Sequence, residues 1–398
     1  MGGKMLRLRL AIIAPLFLLV AFVGAAIADF NYDAYSYPKV FDVRRYGAKP
    51  DGKSDSSEAF LAAWNDACQY EGKARVVVPP GEYVTDTILF LGPCKGSMGF
   101  IMKGRLTPPD RLSHSDEWIT FRYVNGLLVS GHGTFDGKGY VAPTPKPPAI
   151  SLRFEFINDA VISHIRSLNS RNAHFQLFGS NKIRMHNLLI RAPGNSPNTD
   201  GIKIGASTDV HVTNSVIGTG DDCISILGKS SDIYVSQVLC GPGHGISVGS
   251  MGFYDNNAEN DVVTDVTVTD CTFRGTSDGV RIKTWATANA GLVRNLTFSN
   301  IHLDSVDNPI VIDQEYCPYP PCKQVPSRIR IEDVTYDNVW GTSRTAVAVK
   351  LNCSKMYGCK GLVLRDINMV QKNGLDAVSF CSHAVGATHG VQKPSPCL

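Results

Sequence analysis

The chain has 398 residues, 43% apolar and 19% charged, so it can bury a large core. Its 39 Lys and Arg against 36 Asp and Glu leave a formal charge of +3, with no global basic field of the kind nucleic acid requires. Ten histidines would make it cationic in an acidic compartment.

At the start, Lys4, Arg7 and Arg9 precede an apolar run from Leu10 to Val23, and Ala26-Ile27-Ala28 follows as a small-residue cleavage site. This pattern predicts a secretory signal over residues 1–28. The run is short for a membrane anchor, and no stop-transfer signal follows. Cleavage after Ala28 removes three bases and no acid, leaving residues 29–398 formally neutral as one expected domain. No other stretch is apolar enough to cross a bilayer, so a secreted protein with no membrane partner is expected.

Next comes "SDSSEAFLAAWNDAC", which reads as an amphipathic helix capped by Asp55 or Ser54, with Phe60, Leu61 and Trp64 on one face. No helix of comparable strength follows. Short strand-like runs recur instead, separated by Asn, Asp and Gly. Aligning "LLVSG", "AVISHI", "IRMHNL", "VHVTNS", "IYVSQV", "VTVTDC", "LTFSNI", "IRIEDV" and "LVLRDI" centres them on Val129, Ile162, Met185, Val212, Val235, Val268, Phe298, Ile331 and Leu364. Two positions on, a polar turn residue stands in most copies: Asn187, Asn214, Gln237, Asp270, Asn300, Asp333 and Asp366. One further on, the residue is usually apolar, as in Ile165, Leu188, Val238, Ile301, Val334 and Ile367.

A period of about 20 to 35 residues built from short strands means a solenoid. A β-sandwich also alternates, but it would not hold one register through nine copies. The predicted fold is all-β: a right-handed parallel β-helix of roughly ten coils, its N-terminal end closed by the helix. The polar turn residues are expected to stack into ladders.

Eleven cysteines in a secreted chain imply disulfides and one spare thiol. Short spacings propose Cys317–Cys322, Cys353–Cys359 and Cys381–Cys397, with Cys223–Cys240 and Cys68–Cys94 as the remaining pairs. Cys271 sits in the apolar slot of the repeat and is expected to stay unpaired as a small core residue. Asn295 and Asn352 begin glycosylation sequons.

A second register runs through "DGIKI", "DCISI", "HGISV" and "DGVRI". Asp200, Asp222 and His244 are 22 residues apart, one coil each, so they should stack in a column at the strand entrance with Asp221 beside it. Lys203, Ser225, Ser247 and Arg281 share the outward face, Lys283 lies two residues further along it, and Ile202, Ile224, Ile246, Val280 and Ile282 point inward. Stacked carboxylates repel, and clustered like charge separates pKa values into an acid and a base. Taken alone, "GDD" is commonly a solvated turn, and aspartate columns can also bind calcium. The combination of D, DD, H and R-x-K on one face favours catalysis. "GHG" also occurs at 131–133, but His132 is out of register with the acids and is read as structural.

With those residues in place, the chain resembles the polygalacturonases among the glycoside hydrolases. It carries "NTDG" (198–201), "GDDC" (220–223), "GHG" (243–245) and "RIK" (281–283) in order, with Tyr316 in "DQEYC". The resemblance spans the chain from "FDVRRYGAKPDGKSDSS" onward and is strongest to the pollen-type exopolygalacturonases of plants. It implies hydrolysis of α-1,4 bonds in de-esterified pectin with inversion. Asp221 would be the general acid, Asp200 and Asp222 the bases on water, and His244 would hold the acid in its working protonation state. Arg281 and Lys283 would neutralise a substrate carboxylate, with Asn198 and Tyr316 also contacting substrate. No metal or cofactor is implied, and the protein would act as a monomer in the extracellular cell wall. Exo action rests on the resemblance alone, because the loops 141–150 and 251–261 could either close or leave open one end of the groove. The rival readings are an endo-acting enzyme, a calcium-dependent pectate lyase and a non-catalytic pectin-binding wall protein.

Overall fold

The computed structural model of the protein describes residues 37–113, 116–139, 148–253, 261–287, 289–322 and 325–398. The expected signal over 1–28 lies outside the described residues, as do most of the stretches 141–150 and 251–261 singled out in the sequence. Among the described residues no helix is long and apolar enough to cross a membrane.

The strands wind into a right-handed parallel β-helix. One sheet holds 11 strands, one per coil, from Ile88–Leu91 to Val378–Ser382, and a 20-stranded sheet folds around the other sides. The bends lie inside continuous strands. Thr208–Gly218 pairs with both Asn181–His186 and Leu189–Arg191, and turns between the two ladders at Asn214, where φ is 46°. A residue in that left-handed region must be Gly or a short polar side chain that bonds locally.

The apolar column aligns as Val129, Ile162, Met185, Val212, Val235, Val268 and Phe298, each paired with the next. All seven side chains are buried. The register differs from the expected one at a single copy. Phe298 pairs with Tyr336, and Tyr336 with Leu364, whereas Ile331 pairs one segment earlier, with Val293. The apolar slot beside it is accordingly filled by Val339, not Val334. The coils bend at pairs of left-handed corners five residues apart, here Asp333 at φ 55° and Asn338 at φ 53°, and the Ile331 of "IRIED" stands before the first of them while the Tyr336 of "VTYDN" stands before the second.

The helix, Ser57–Cys68, buries Phe60 and Trp64 completely and leaves Leu61 half-buried. Its N-cap is Ser56, without a side-chain cap bond. Asp55 instead accepts the Ser57 N–H at 3.0 Å, the first N–H of the helix rather than the second or third that a capping side chain bonds. Trp64 packs on Phe90 with ring centres 4.8 Å apart, and Phe90, Phe121 and Phe154 continue inward coil by coil at 4.9 and 5.3 Å. The helix therefore covers the otherwise open end of an internal aromatic column. Cys68–Cys94 fastens it, and Trp64 Nε1 donates to the Leu91 carbonyl at 3.1 Å.

The other disulfides are Cys223–Cys240, Cys317–Cys322, Cys353–Cys359 and Cys381–Cys397, and Cys271 is free and buried. Burial pushes the Cys271 thiol up to about 12, which makes it inert.

Candidate active site

The 11-stranded sheet builds the site through its register. Ile202, Ile224, Ile246 and Val280 are mutual neighbours, so the residues two positions earlier, Asp200, Asp222, His244 and Asp278, reach the same strand entrance. Backbone bonds carry the ladder through that corner: Gly201 N–H donates to the Asp222 carbonyl, Cys223 N–H to Gly245 and His244 N–H to Asp221, each at 2.8 Å. Two glycines make the corner possible. A Cβ on Gly220 would lie 2.0 Å from the Ser196 carbonyl oxygen, and Gly245 sits at φ 81° with the Gly279 oxygen 2.2 Å from where its Cβ would be. Thr199 ties the first two motifs together, its hydroxyl accepting the Gly220 N–H at 2.9 Å and donating to the Ser196 carbonyl at 3.0 Å.

Within this frame the three acids have different surroundings. Asp222 is almost fully buried. Its Oδ1 accepts from Arg281 at 2.7 Å and from the Ser247 hydroxyl at 2.8 Å, and its Oδ2 accepts from Lys283 at 2.8 Å. Burial alone would raise its pKa, but the charges of Lys283 and Arg281 outweigh it and hold the carboxyl at about 2. Asp200 is nearly as buried, with the Ser225 hydroxyl on Oδ2 at 2.8 Å and Lys203 3.4 Å from Oδ1. Here burial wins. It pushes Asp200 up to about 6 against the pull of Lys203, and the neighbouring charges of Asp222 and Asp221 add to the rise.

Asp221 stands above them, its side chain 23% exposed and its Oδ1 accepting both its neighbour's N–H at 2.8 Å and a contact from His244 Nδ1 at 3.2 Å. Burial raises its pKa, yet the His244 hydrogen bond and charge bring it below the usual carboxylate value. The same contact raises His244 above its ordinary pKa against the opposing effect of burial. Asp221 and His244 thus hold one proton between them as a unit, while Asp222 stays ionised and Asp200 carries a proton up to weakly acidic pH.

Arg281 is shared. Its Nε donates to Ser247 at 3.0 Å and its two terminal nitrogens reach Asp278 at 2.9 Å and Asp222. That uses three of its five N–H bonds and leaves two for a ligand. Lys283 spends one bond on Asp222 and lies 5.2 Å from the centre of the Tyr316 ring, which packs against Trp285. A depression of about 260 Å³ beside Arg281 is lined by Asn308, Asp313, Tyr316 and Lys350. A larger cavity of about 630 Å³, near Cys317–Cys322 and Cys353–Cys359, holds none of the acids, so chemistry rather than volume locates the site.

One ligand atom each of Asp221, Asp222 and His244 lies within 4.8 Å of the others, a spacing that a metal ion could use. The electrostatics oppose this, since both Asp222 oxygens already face cationic side chains and too few oxygens remain for calcium.

Of the residues singled out in the sequence, Asp200, Asp221, Asp222, His244, Arg281 and Lys283 come together, with Tyr316 against Lys283. Asn198 is exposed at φ 55°, on the corner leading into Thr199. His132 lies elsewhere, its ring tilted at 52° against that of His164 with centres 4.8 Å apart. The Asn295 amide donates to Asp265 at 2.5 Å and that of Asn352 to Glu315 at 3.0 Å. Sequence reasoning had Ser225 and Ser247 on the outward face but missed their bonds to the acids, and it passed over Asp278 and Lys350. Asp278 occupies the entrance column of "DGVRI", and Lys350 aligns with Val311 next to Arg281, so both were accessible from the register.

Comparison with known proteins places the chain in a family. The family model described as glycosyl hydrolases family 28 matches residues 68–388. An exopolygalacturonase of Platanus acerifolia is 42% identical over 370 residues, covering 89% of this chain and 97% of that protein. A polygalacturonase of Prunus persica is 40% identical over 378 residues, covering 92% and 95%. Among solved structures, the endo-xylogalacturonan hydrolase of Aspergillus tubingensis superposes with a TM-score of 0.76 at 21% identity, over 89% of this chain and all of that one. The exopolygalacturonase of Thermotoga maritima gives 0.71 at 17% identity, over 84% and 88%. A buried, charge-coupled acid cluster at one strand entrance, read with these matches, makes the chain a glycoside hydrolase that belongs to glycosyl hydrolases family 28.

Proposed function

We propose that the enzyme hydrolyses α-1,4-galacturonosyl bonds of polygalacturonate with inversion, removing galacturonate from the non-reducing end. The observation that carries this reading is the division of labour among the acids: an accessible Asp221 bonded to His244, above a buried Asp200 and a buried, cation-bound Asp222. The proton that the Asp221–His244 pair holds passes through Asp221 to the glycosidic oxygen as the bond to the anomeric carbon breaks. Water attacks that carbon from the opposite face and loses its proton to Asp200, with Asp222 orienting it. Inversion needs acid and base carboxyls about 6.5–9.5 Å apart when water is seated between them. The remaining N–H groups of Arg281 and Lys283 receive the substrate carboxylate, Arg281 as a fork and Lys283 as a point charge. Tyr316 packs beside Lys283, and Asn198 lines the rim.

The reading requires neither metal nor cofactor. The N-terminal signal pattern and the five disulfides support secretion to the extracellular wall after cleavage behind Ala28, with residues 29–398 as one monomeric catalytic domain and glycans at Asn295 and Asn352. The test is digestion of de-esterified polygalacturonate in EDTA, with products separated over time. Early monogalacturonate as the sole small product supports the exo-hydrolase. A spread of oligomers keeps the chemistry and makes it endo. Unsaturated product that forms only with calcium overturns the acid–base assignment, and saturable binding without reducing-sugar release overturns catalysis.

A further inference from the structure

N-terminal to the acids, the same outward sheet face changes character. Gln176 aligns with Lys203 and Phe178 with Gly205, so Phe178 stands on the groove face one coil before Lys203. Phe156 and Tyr123 follow at the corners of the next two coils, linked by Phe156 N–H to the Phe178 carbonyl at 2.9 Å and Tyr123 N–H to the Glu155 carbonyl at 3.0 Å. Their rings touch in sequence. Tyr123 and Phe156 stack at 5.1 Å and 16°, and Phe156 meets Phe178 edge-on at 5.8 Å. Unlike the internal Phe90–Phe121–Phe154 column, this row faces outward, with Tyr123, Phe156 and Phe178 exposed by 51%, 43% and 40%. The place of the middle ring is built into the backbone: a Cβ on Gly179 would sit 2.6 Å from the Phe156 ring. Three aromatics held in an exposed row, on the outward sheet face that carries Lys203 one coil on, form the kind of apolar surface that ligand sites present.

The charges beneath the row say which ligand. Arg122 bonds Glu155 at 2.5 Å, and Arg153 bonds Glu117 at 3.1 Å and also Glu155. Two guanidiniums and two carboxylates close on each other, leaving no net charge for a substrate carboxylate. The opposite holds beside the acids, where Arg281 and Lys283 keep unused N–H groups.

We propose that the Tyr123–Phe156–Phe178 row is a stacking subsite for an uncharged sugar ring of the pectic chain, which presents its C–H face to the rings. A methyl-esterified galacturonate and a neutral sugar carried by the galacturonan both have this chemistry. The proposal rests on the polygalacturonate reading above and names the part of the substrate that reading leaves open.

The test compares the wild-type enzyme with Phe178→Ala and Tyr123→Ala on three polymers: de-esterified polygalacturonate, partially methyl-esterified polygalacturonate and a neutral-sugar-substituted galacturonan. Both side chains are exposed, and an unchanged thermal midpoint establishes that the variants fold. The expected result is a KM raised about tenfold at unchanged kcat on an uncharged-ring polymer, with less than about twofold change on the de-esterified chain. A rise on the esterified polymer alone identifies the ester as the ligand, and a rise on the substituted polymer alone identifies the neutral sugar. An equal rise on all three, or on none, overturns the proposal. If the wild type turns over none of the polymers, the polygalacturonate reading fails separately, and calorimetric binding of esterified pectin to wild type against Phe178→Ala still decides the subsite.

Discussion

Two polar columns run along this solenoid, and they do different things. At the outer corner, Asn187, Asn214, Gln237, Asp270, Asn300 and Asp366 all adopt φ between 46° and 55°. Their side chains bond along the column in solvent, Asn300 to Asp270 at 3.1 Å and Asn338 to Asn300 at 2.9 Å. At the strand entrance, Asp200 and Asp222 are 5% and 1% exposed and bond to Ser, Lys and Arg rather than to each other. Both columns look alike as a string, a polar residue returning once per coil. Burial separates them. In water a polar side chain serves as a prop for the backbone corner, whereas out of water a carboxylate's charge must be compensated, and the compensation sets its protonation state.

The sharpest contrast is a pair of variants. Asp221→Asn in the entrance column should lower kcat by about 10²–10⁴-fold with substrate binding still measurable, the usual share of a general acid. Activity above about a few per cent of wild type would remove Asp221 from that role. Asn300→Ala in the corner column should leave kcat alone.

Next comes stability. Asp222→Asn strips the buried counter-charge from Lys283 and Arg281 and should cost about 3–5 kcal/mol in denaturant unfolding. A cost near that of an exposed pair, below about 1 kcal/mol, would mean that the entrance column is wetter than its burial indicates.

A pH profile probes the same difference without destabilisation. Asp200 is raised to about 6, so a reaction needing it ionised should gain rate as pH climbs through that region. It should lose rate again above the raised pKa of His244, where the Asp221–His244 pair surrenders its proton. The Ser225 hydroxyl donates to the ionised form of Asp200, so Ser225→Ala should move the acidic limb upward. An unmoved limb would assign it to another group.

The smallest effect belongs to the corner. Asn300→Gly should be close to neutral because glycine accepts φ 53°, while Asn300→Val should cost about 1–2 kcal/mol in thermal unfolding. Equal costs for the two would show that the amide bonds, rather than the backbone conformation, hold the corner.

Most of the fold was readable because a parallel solenoid repeats its constraints. The run from Val129 to Phe298 aligned correctly because each of these apolar centres stands two residues before the second of two left-handed corners in its coil. The reading slipped at Ile331, which stands before the first corner of its coil, Asp333, in the same apolar-x-polar spelling that Tyr336 has before the second, Asn338, and a string cannot say which corner faces Asn300. The helix cap falls at Ser56 rather than the expected Asp55 or Ser54, because Asp55 ends the preceding strand and its side chain bonds Ser57, the first residue of the helix.

The sequence by itself determined the coil period and the stacking of Asp200, Asp222 and His244 at the strand entrance, because these follow from spacing along a fixed register. Only the tertiary structure decided how the acids differ. Arg281 and Lys283 lie 59 and 61 residues beyond Asp222, yet both fold onto it, while Asp200 receives Ser225 and a more distant Lys203. Their separate pKa values depend on burial and on charges only ångströms away, and those are properties of the packed coil that no linear spacing records.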